Sequence, residues 1–246
     1  MSGSVLILGA TSGIARALGR KLAEEGHDLA LAARRGEVLE NEAHDLNIRF
    51  GVKVRCYDFD ALDTEGHQAF LDRVVAECGH LAGAVIAFGY MGREEESWRD
   101  SGATRLVIDT NLTGALSAIL PIATHLEQRN GGFLCAISSV AGDRGRKKNM
   151  TYGAAKAGLS VYMQGLLQRF TGTGVKVILV KPGFVDTRMT WPLGKLPMIV
   201  PAEKAAGDIL KAIRRGKTEI YTPWMWRWIM LIIRNVPTFL FKRMKF

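Results

Sequence analysis

The sequence has little cysteine, little proline and no low-complexity segment, and each shortage excludes a class of protein. Three cysteines stand among 246 residues, without a CxxC pair and without the Cys/His spacing of a zinc site. A disulfide scaffold and a metal site are therefore excluded, and we expect a reducing compartment. Seven prolines, 48% hydrophobic residues and 23% charged residues are typical of a globular domain and exclude collagen, coiled coil and disorder.

Acidic residues are the scarcer charge, and the basic excess is concentrated in two places. The chain has 33 basic and 24 acidic residues, for a net charge of +9. Residues 143–148 hold four cations against one acid, and residues 220–246 hold five cations and no acid. A nucleic-acid surface would spread its charge more widely, so we expect no nucleic-acid partner. Two local patches instead suggest an anionic ligand group and an anionic surface.

The chain begins MSGSVLILGATSG, which has no basic region before its apolar run. We therefore expect no secretory signal peptide and a cytoplasmic protein.

Short apolar runs alternate with longer amphipathic stretches, which is typical of a parallel sheet covered by helices. The sequence predicts an α/β fold, a doubly wound parallel seven-stranded (Rossmann) sheet, as one domain over residues 1–222. The predicted strands are 4–8, 28–33, 52–57, 82–87, 133–138, 175–181 and a last one near 218–222. The predicted helices are 13–25, about 36–47, 63–78, 100–130, 151–171 and 202–215.

Residues 223–246 do not follow that alternation and form a basic, aromatic C-terminal extension. Residues 224–246 contain three of the five tryptophans, the aliphatic run 229–233 and five cations. Arg227, Arg234 and Pro237 interrupt the apolar residues, so we expect the segment not to span a bilayer, which requires about 20 consecutive apolar residues. Two interpretations stay open: an amphipathic segment at a membrane interface, or a helix packed on the body or on a partner subunit.

A glycine-rich turn follows the first predicted strand and opens the first predicted helix. Small residues there let the backbone approach a pyrophosphate, whose charge the helix N-terminus favours. The alternative is that the glycines only allow a tight turn. The predicted dinucleotide contacts of this turn are Gly9, Thr11, Ser12, Gly13 and Ile14.

The second predicted strand ends in Arg34 and Arg35 instead of an acidic residue. An acid at this point binds the 2′-OH of NAD and repels a 2′-phosphate, whereas arginine binds phosphate. The sequence therefore favours NADP(H) over NAD(H), which stays an alternative.

Tyr152 and Lys156 are four residues apart at the start of a predicted helix, so they share one face. A lysine ammonium near a phenol favours the phenolate, so we expect Lys156 to lower the pKa of Tyr152. Ser139 follows the fifth predicted strand, at the sheet edge where ligands bind.

With these motifs the chain resembles the classical short-chain dehydrogenase/reductase family, up to about residue 222. The matching segments are GATSGIA, Asn111-Leu112-Thr113-Gly114, Ser138-Ser139, Tyr152-x-x-x-Lys156 and Pro182-Gly183-x-x-x-Thr187. The resemblance implies NAD(P)(H)-dependent interconversion of a ketone and a secondary alcohol, and we expect a homo-oligomer.

The resemblance also assigns roles to single residues. Tyr152 would protonate the carbonyl oxygen, Ser139 would hydrogen-bond to it, Lys156 would also hold the nicotinamide ribose, and Asn111 would support a water-linked proton path. The remaining cofactor contacts that it implies are Asp58 at adenine, Val185 and Thr187 at the carboxamide, and Phe88, Gly89, Pro182 and Gly183 along the cleft.

One motif departs from the family pattern. The family usually has NNAG where this chain has Ile86-Ala87-Phe88-Gly89. We expect local structural variation there and no loss of hydride chemistry.

The two basic segments add a narrower resemblance, to decaprenylphosphoryl-2-keto-pentose reductases, which reduce a keto-sugar carried on a polyprenyl phosphate at the membrane. It rests on residues 139–149, 185–189 and 233–243. The candidate substrate contacts are Arg144, Arg146, Lys147 and Lys148, for which a solvated loop is the alternative. A lipid-linked ketone with peripheral contact through 224–246 at the inner face of the membrane is the first hypothesis. A soluble keto-acyl, steroid or xenobiotic ketone is the second, and an idle nucleotide-binding scaffold is the third.

Overall fold

A computed structural model describes residues 3–244. Seven parallel strands form one sheet in the order β3-β2-β1-β4-β5-β6-β9, and β7 pairs separately with β8. The strands are β1 (Ser4–Leu8), β2 (Leu29–Ala33), β3 (Val54–Asp58), β4 (Leu81–Ile86), β5 (Gly132–Ile137), β6 (Val175–Pro182), β7 (Val185–Asp186), β8 (Val200–Pro201) and β9 (Glu219–Thr222).

Helices cover both faces of the sheet, so the central strands are buried on both sides and consist of nearly continuous apolar runs. The helices are α1 (Gly13–Glu24), α2 (Glu40–Phe50), α3 (His67–Cys78), α4 (Glu94–Ser97), α5 (Ser101–Ile108), α6 (Gly114–Gln128), α7 (Met150–Arg169), α8 (Ala202–Arg215), α9 (Trp226–Asn235) and α10 (Thr238–Phe241).

The core consists of two layers, one on each face of the sheet. Because side chains alternate along a strand, Leu6 and Leu8 of β1 enter one layer while Val5 and Ile7 enter the other. The first layer also includes buried residues of α3, α6 and α7, and the second includes buried residues of α1, α2 and α8.

The predicted sheet is confirmed, with each strand boundary within two residues of its expected position. The predicted helix 100–130 differs, because a π-helical turn at Asp109–Thr113 separates α5 from α6. The predicted helix 36–47 begins as a 3-10 turn and becomes α-helical only from Glu40. The pairing of β7 with β8 lies in a stretch for which no strand was predicted.

One continuous helical stretch, Ser101–Gln128, is long and apolar enough by composition to cross a membrane. Half of its most apolar window is buried, and Ile119, Ile122 and Leu126 belong to the first core layer. A core helix has the same composition, and the packing of this stretch is that of a core helix.

The C-terminal segment forms α9 and α10, and one side of α9 packs on the body. Trp226 and Met230 are buried in a small cluster with Val140, and Phe184 and Tyr221 lie against it. Lys245, one of the five cations of this segment, and Phe246 lie outside the described residues. The division of the chain at residue 222 stays a prediction.

Candidate active site

The predicted site residues lie at the carboxyl edge of the sheet. The strand order reverses between β1 and β4, and the loops after these two strands flank the crevice where open α/β sheets bind ligands. The loops after β2, β5 and β6 begin at the same edge because all seven strands of the sheet are parallel.

The glycine-rich turn after β1 could hold a pyrophosphate. Gly9 has φ +81°, and a Cβ there would lie 2.5 Å from the backbone nitrogen of Phe88, so only glycine suits this position. Ser12 caps α1 by accepting a hydrogen bond from the Ala15 amide at 3.2 Å. The first turn of α1 therefore directs its remaining amides at the crevice.

The segment after β6 closes against this turn. The Thr187 methyl carbon lies 3.0 Å from where a Gly13 Cβ would stand, and the Arg188 guanidinium donates to the Thr11 carbonyl at 3.1 Å. Val185 is buried and pairs with Val200. Sequence reasoning missed Arg188, although it lies next to a predicted cofactor residue.

Arg34 and Arg35 are exposed directly after β2, where they could bind an anionic group. Asp58 ends the neighbouring strand β3, and its carboxylate accepts a hydrogen bond from the Gly36 amide at 2.7 Å. Asp58 therefore shapes the turn that presents the two arginines, whatever else it contacts.

Asn111 occupies the π-helical turn and is buried. Its amide group donates to the Val107 carbonyl at 2.8 Å and to the Tyr90 carbonyl at 2.5 Å, and its oxygen accepts from the Tyr90 amide at 3.1 Å. A Cβ at Gly89 would lie 2.9 Å from Asn111 Oδ1 and 3.4 Å from Lys156 Nζ. Asn111 thus holds the loop after β4, in which the usual NNAG motif is replaced. The absence of a side chain at Gly89 leaves room for Asn111 and Lys156.

Ser139 and Tyr152 are brought together as expected. Ser139 follows β5 and accepts a hydrogen bond from the Ala141 amide at 3.1 Å, while its hydroxyl also bonds to the phenol of Tyr152. Tyr152 is buried in the first turn of α7. The phenol and the hydroxyl could therefore hydrogen-bond to the same carbonyl oxygen.

Lys156 is buried one turn further along α7, and its Nζ donates to the Ile137 carbonyl at 3.0 Å. Burial lowers the pKa of Lys156 to about 8. Nζ lies 5.8 Å from the centre of the Tyr152 ring.

The expected lowering of the phenol pKa is wrong for this arrangement. Burial raises the pKa of Tyr152 to about 12, and the hydrogen bond with Ser139 offsets only part of that rise. The Lys156 ammonium is bound to a carbonyl and is itself desolvated, so it does not outweigh burial. Near neutral pH Tyr152 is therefore a protonated phenol, suited to donate a proton.

Two further residues that sequence reasoning missed position α7. The Ser138 and Ser160 hydroxyls lie 2.7 Å apart and 2.9 and 2.8 Å from the Lys156 carbonyl oxygen, so their two hydrogens are shared among three contacts. Glu94 accepts from the backbone amide and hydroxyl of Thr151, next to Tyr152. Ser160 could have been found, because it is four residues after Lys156, whereas the contact of Glu94 is long-range.

Gly183 directly follows β6 and lies beside the C-terminal segment. A Cβ there would collide with the Trp226 indole nitrogen, so glycine lets Trp226 pack next to Pro182 and Gly183. The Trp226 N–H is buried without a hydrogen-bond partner within residues 3–244. Trp226 therefore borders the cleft, a role that its sequence position does not indicate.

The basic segment between Ser139 and Tyr152 divides into two parts. Arg144 was predicted as a substrate contact, but its Nη1 lies 2.7 to 2.8 Å from three carbonyl oxygens at the end of α9. Its guanidinium also stacks on Phe241. Arg144 is thus engaged with the C-terminal segment, which removes it from the candidate substrate contacts.

Lys147 and Lys148 are exposed, and Arg146 is half-buried with one nitrogen 3.4 Å from the Val140 carbonyl. Burial lowers the pKa of Arg146, and the nearby Asp143 opposes that effect. These three cations remain able to meet an anionic group.

Comparison with known proteins agrees with this geometry. Residues 4–196 match the family model described as short chain dehydrogenase. An uncharacterized oxidoreductase of Mycobacterium tuberculosis is 34% identical over 240 residues, which cover 98% of this chain and 96% of the relative.

Two solved structures are similar in fold. A short-chain dehydrogenase of Sphingobium yanoikuyae in complex with NADPH has TM-score 0.83 and 24% identity, covering 99% of this chain and 97% of that one. A 3-oxoacyl-[acyl-carrier protein] reductase of Brucella melitensis in complex with NAD has TM-score 0.79 and 24% identity, covering 90% and 96%. With the family model matching most of its length, this chain belongs to the short-chain dehydrogenase family and is an NAD(P)-dependent oxidoreductase.

Proposed function

We propose that the protein reduces a ketone to a secondary alcohol with NADPH. The observation that supports it most is the buried phenol of Tyr152, hydrogen-bonded to Ser139 and one helical turn from Lys156. Bound NADPH supplies a hydride. Tyr152 gives its proton to the carbonyl oxygen, and its pKa, raised to about 12, keeps the phenol protonated near neutral pH. The Ser139 hydroxyl, whose oxygen accepts from the Ala141 amide and whose hydrogen bond lowers the pKa of the phenol, would donate to the carbonyl oxygen once the ketone is bound.

The residues of the crevice fit a dinucleotide with a 2′-phosphate. The Gly9 to Gly13 turn leaves room for phosphate at the start of α1, and Arg34 and Arg35 offer exposed cations after β2. The Asp58 carboxylate, which would repel such a phosphate, is turned to the Gly36 amide. One similar structure contains NADPH and another contains NAD, so both cofactors should be tested.

The substrate that fits best is amphiphilic, with an anionic group beside the ketone, as in a keto-sugar linked to a polyprenyl phosphate. Lys147, Lys148 and Arg146 lie in the loop between Ser139 and Tyr152, where a phosphate would meet them. A soluble keto-acyl, steroid or xenobiotic ketone is the second candidate, supported only by the catalytic geometry. A scaffold would bind NADPH and reduce no ketone.

The C-terminal segment offers a surface for an anionic membrane. Its tail face consists of exposed apolar side chains from α9, from α10 and from the chain two residues before α9: Trp224, Trp228, Leu231, Ile232, Phe239 and Leu240. The four described cations of the segment, Arg227, Arg234, Lys242 and Arg243, are exposed as well. Apolar and aromatic side chains flanked by cations are suited to an interface with anionic lipid.

The activity is tested by following NADPH oxidation against a panel of ketones that includes a keto-pentose linked to a polyprenyl phosphate. We expect the lipid-linked ketone to be reduced with the highest kcat/KM. Highest kcat/KM with a soluble ketone would favour the second candidate, and NADPH binding without turnover would favour the scaffold.

Membrane contact is tested separately by sedimentation with phosphatidylglycerol vesicles, with phosphatidylcholine vesicles for comparison. Binding should require the anionic lipid and weaken with salt, because the cations act within a Debye length of the surface. Ile232→Ser should weaken it, whereas Ile48→Ser, an equally exposed residue on α2, should not. Equal behaviour of the two variants would contradict a role of the tail face.

A further inference from the structure

A buried ion cluster holds the loop that follows Ser139. The Asp143 carboxylate lies 2.9 Å from Lys181 Nζ, and its second oxygen accepts a hydrogen bond from the Tyr221 hydroxyl at 2.7 Å. The side chains of Asp143 and Lys181 are only 4% and 3% exposed. Lys181 also contacts Glu219 at 3.3 Å. A buried ion pair is costly to desolvate, so its contribution to stability does not by itself explain it.

The cluster connects three parts of the active-site edge. Asp143 ends the 3-10 turn Val140–Asp143, and Ser139 caps the start of this turn by accepting from the Ala141 amide. Lys181 is in β6 immediately before Pro182 and Gly183, and Tyr221 is in β9. The far end of the turn that begins at Ser139 is therefore fixed to two strands of the sheet.

The next residue fixes the same loop to the C-terminal segment. Arg144 binds the carbonyl oxygens of Ile233 and Arg234 in the last turn of α9 and of Val236 just after it, and its guanidinium lies 3.9 Å from the centre of the Phe241 ring. The last carbonyls of a helix have no partner within the helix, and a cation there is favoured by the helix dipole. Two adjacent residues thus join the loop to the sheet on one side and to α9 on the other.

We propose that Asp143, Lys181, Tyr221 and Arg144 are positioning residues for Ser139, and that through them the C-terminal segment sets the geometry of the active site. The inference rests on the proposed ketone reduction and adds residues that the reaction itself does not use. Ser139 must keep its hydroxyl at hydrogen-bond distance from both Tyr152 and the carbonyl oxygen. A turn held at one end only would leave that distance free to vary.

The protonation states of Lys181 and Tyr221 are stable near neutral pH. Burial lowers the pKa of Lys181, but the hydrogen bond and charge of Asp143, together with Glu219 and Tyr221, outweigh burial and raise it overall. Burial and the hydrogen bond to Asp143 raise the pKa of Tyr221 to about 12. Lys181 therefore stays a cation and Tyr221 a phenol, so the link between loop and sheet persists over the working pH range.

The test is a double-mutant cycle between Tyr221→Phe and Ser139→Ala, read by single-turnover NADPH oxidation. Tyr221→Phe keeps the ring and removes only the hydrogen bond to Asp143. We expect it to lower the rate about tenfold when Ser139 is present, less than the ~10²-fold that a 1 Å misplacement can cost. In the Ser139→Ala background the same change should lower the rate less than twofold, because the group being positioned is absent.

The outcomes of this cycle decide whether the cluster positions Ser139. An equal loss in both backgrounds, or none in either, would overturn the proposal, since a merely structural role acts without Ser139. NADPH affinity should change less than twofold, and Arg144→Gln should behave like Tyr221→Phe. Arg169→Gln, which breaks an exposed pair with Glu127 on α6, is the control and should have no effect.

Hydrogen exchange separates this inference from the proposed function. Tyr221→Phe should speed amide exchange in residues 139–149 and leave residues 4–16 unchanged. Absence of turnover with every ketone would refute the proposed function alone, and the exchange result would still decide whether the cluster holds the loop. Unchanged exchange in residues 139–149 would overturn the proposal.

Discussion

The active-site edge buries polar side chains, whereas the C-terminal segment exposes apolar ones. At the edge, polar side chains such as Tyr152, Lys156 and Asn111 are buried, and each has a bonded partner. In the C-terminal segment the six apolar side chains of the tail face are exposed, while the indole N–H of Trp226 is buried without a partner within residues 3–244. At the edge, the buried polar groups are already positioned for proton transfer. In the C-terminal segment, the apolar tail face is exposed, as is typical of a surface that binds a membrane or another protein.

The largest expected effect is a loss of turnover from a substitution at the active-site edge that does not alter the C-terminal segment. Tyr152→Phe removes the proton donor but keeps the buried ring, so the fold and NADPH binding should persist. General acid catalysis contributes at least ~10²-fold, and kcat should fall by that factor or more. The measurement is kcat with the best ketone of the panel. Near-normal turnover in Tyr152→Phe would refute the assignment of Tyr152.

The second prediction compares the two sides of α9. Trp226 is 4% exposed and Trp228 is 57% exposed, two residues apart on one helix. Trp226→Ala should cost about 3–5 kcal/mol in the free energy of unfolding, because it leaves a cavity among Val140, Met230 and Phe184. Trp228→Ala should change that free energy by less than about 0.5 kcal/mol.

For vesicle binding we expect the opposite ranking, with Trp228→Ala having the larger effect and Trp226→Ala the smaller. Trp228→Ala should sediment less with phosphatidylglycerol vesicles, whereas folded Trp226→Ala, measured well below its Tm, should sediment like wild type. Denaturant unfolding and sedimentation together check the pair. Equal destabilisation by both substitutions would show that the outer face also packs on protein.

Prediction from the sequence was most successful at the edge, for a physical reason. Strands buried on both faces require continuous apolar runs, and the Gly9 turn and the Tyr152–Lys156 spacing are local patterns. The partner of Arg144 lies 89 to 92 residues further along the chain, and no local pattern contains it. The phenol pKa also could not be predicted, because it depends on how deeply tertiary packing buries Tyr152.

The third prediction concerns the exposed rim of the edge, where charge alone selects the cofactor. Arg34→Asp replaces a phosphate partner with a carboxylate that repels phosphate. The ratio of kcat/KM for NADPH over NADH should fall about tenfold or more. Arg55→Asp, in the adjacent strand β3, is the matched charge control and should change the ratio much less. A wild-type enzyme that already prefers NADH would contradict the proposed role of Arg34.

The smallest expected effect concerns the start of the catalytic helix. The Glu94 carboxylate accepts from the Thr151 amide at 3.1 Å and from its hydroxyl at 3.2 Å, so a negative charge stands at the N-terminus of α7. Glu94→Gln keeps the shape but removes the charge, which should cost about 1 kcal/mol through the weaker hydrogen bonds and the lost interaction with the helix dipole. For a chain of this size the Tm should fall by roughly 2–4 °C.

Glu95→Gln makes the same change at an exposed position of α4 and controls for net charge. If Glu94 holds the first turn of α7, only Glu94→Gln should lower the Tm, and kcat should fall slightly, because Tyr152 is the next residue after Thr151. Equal Tm values for the two variants would mean that the first turn of α7 is held by its packing on the sheet. The buried edge would then be independent of α4, and its order would depend on Ser138, Ser160 and the loop after Ser139.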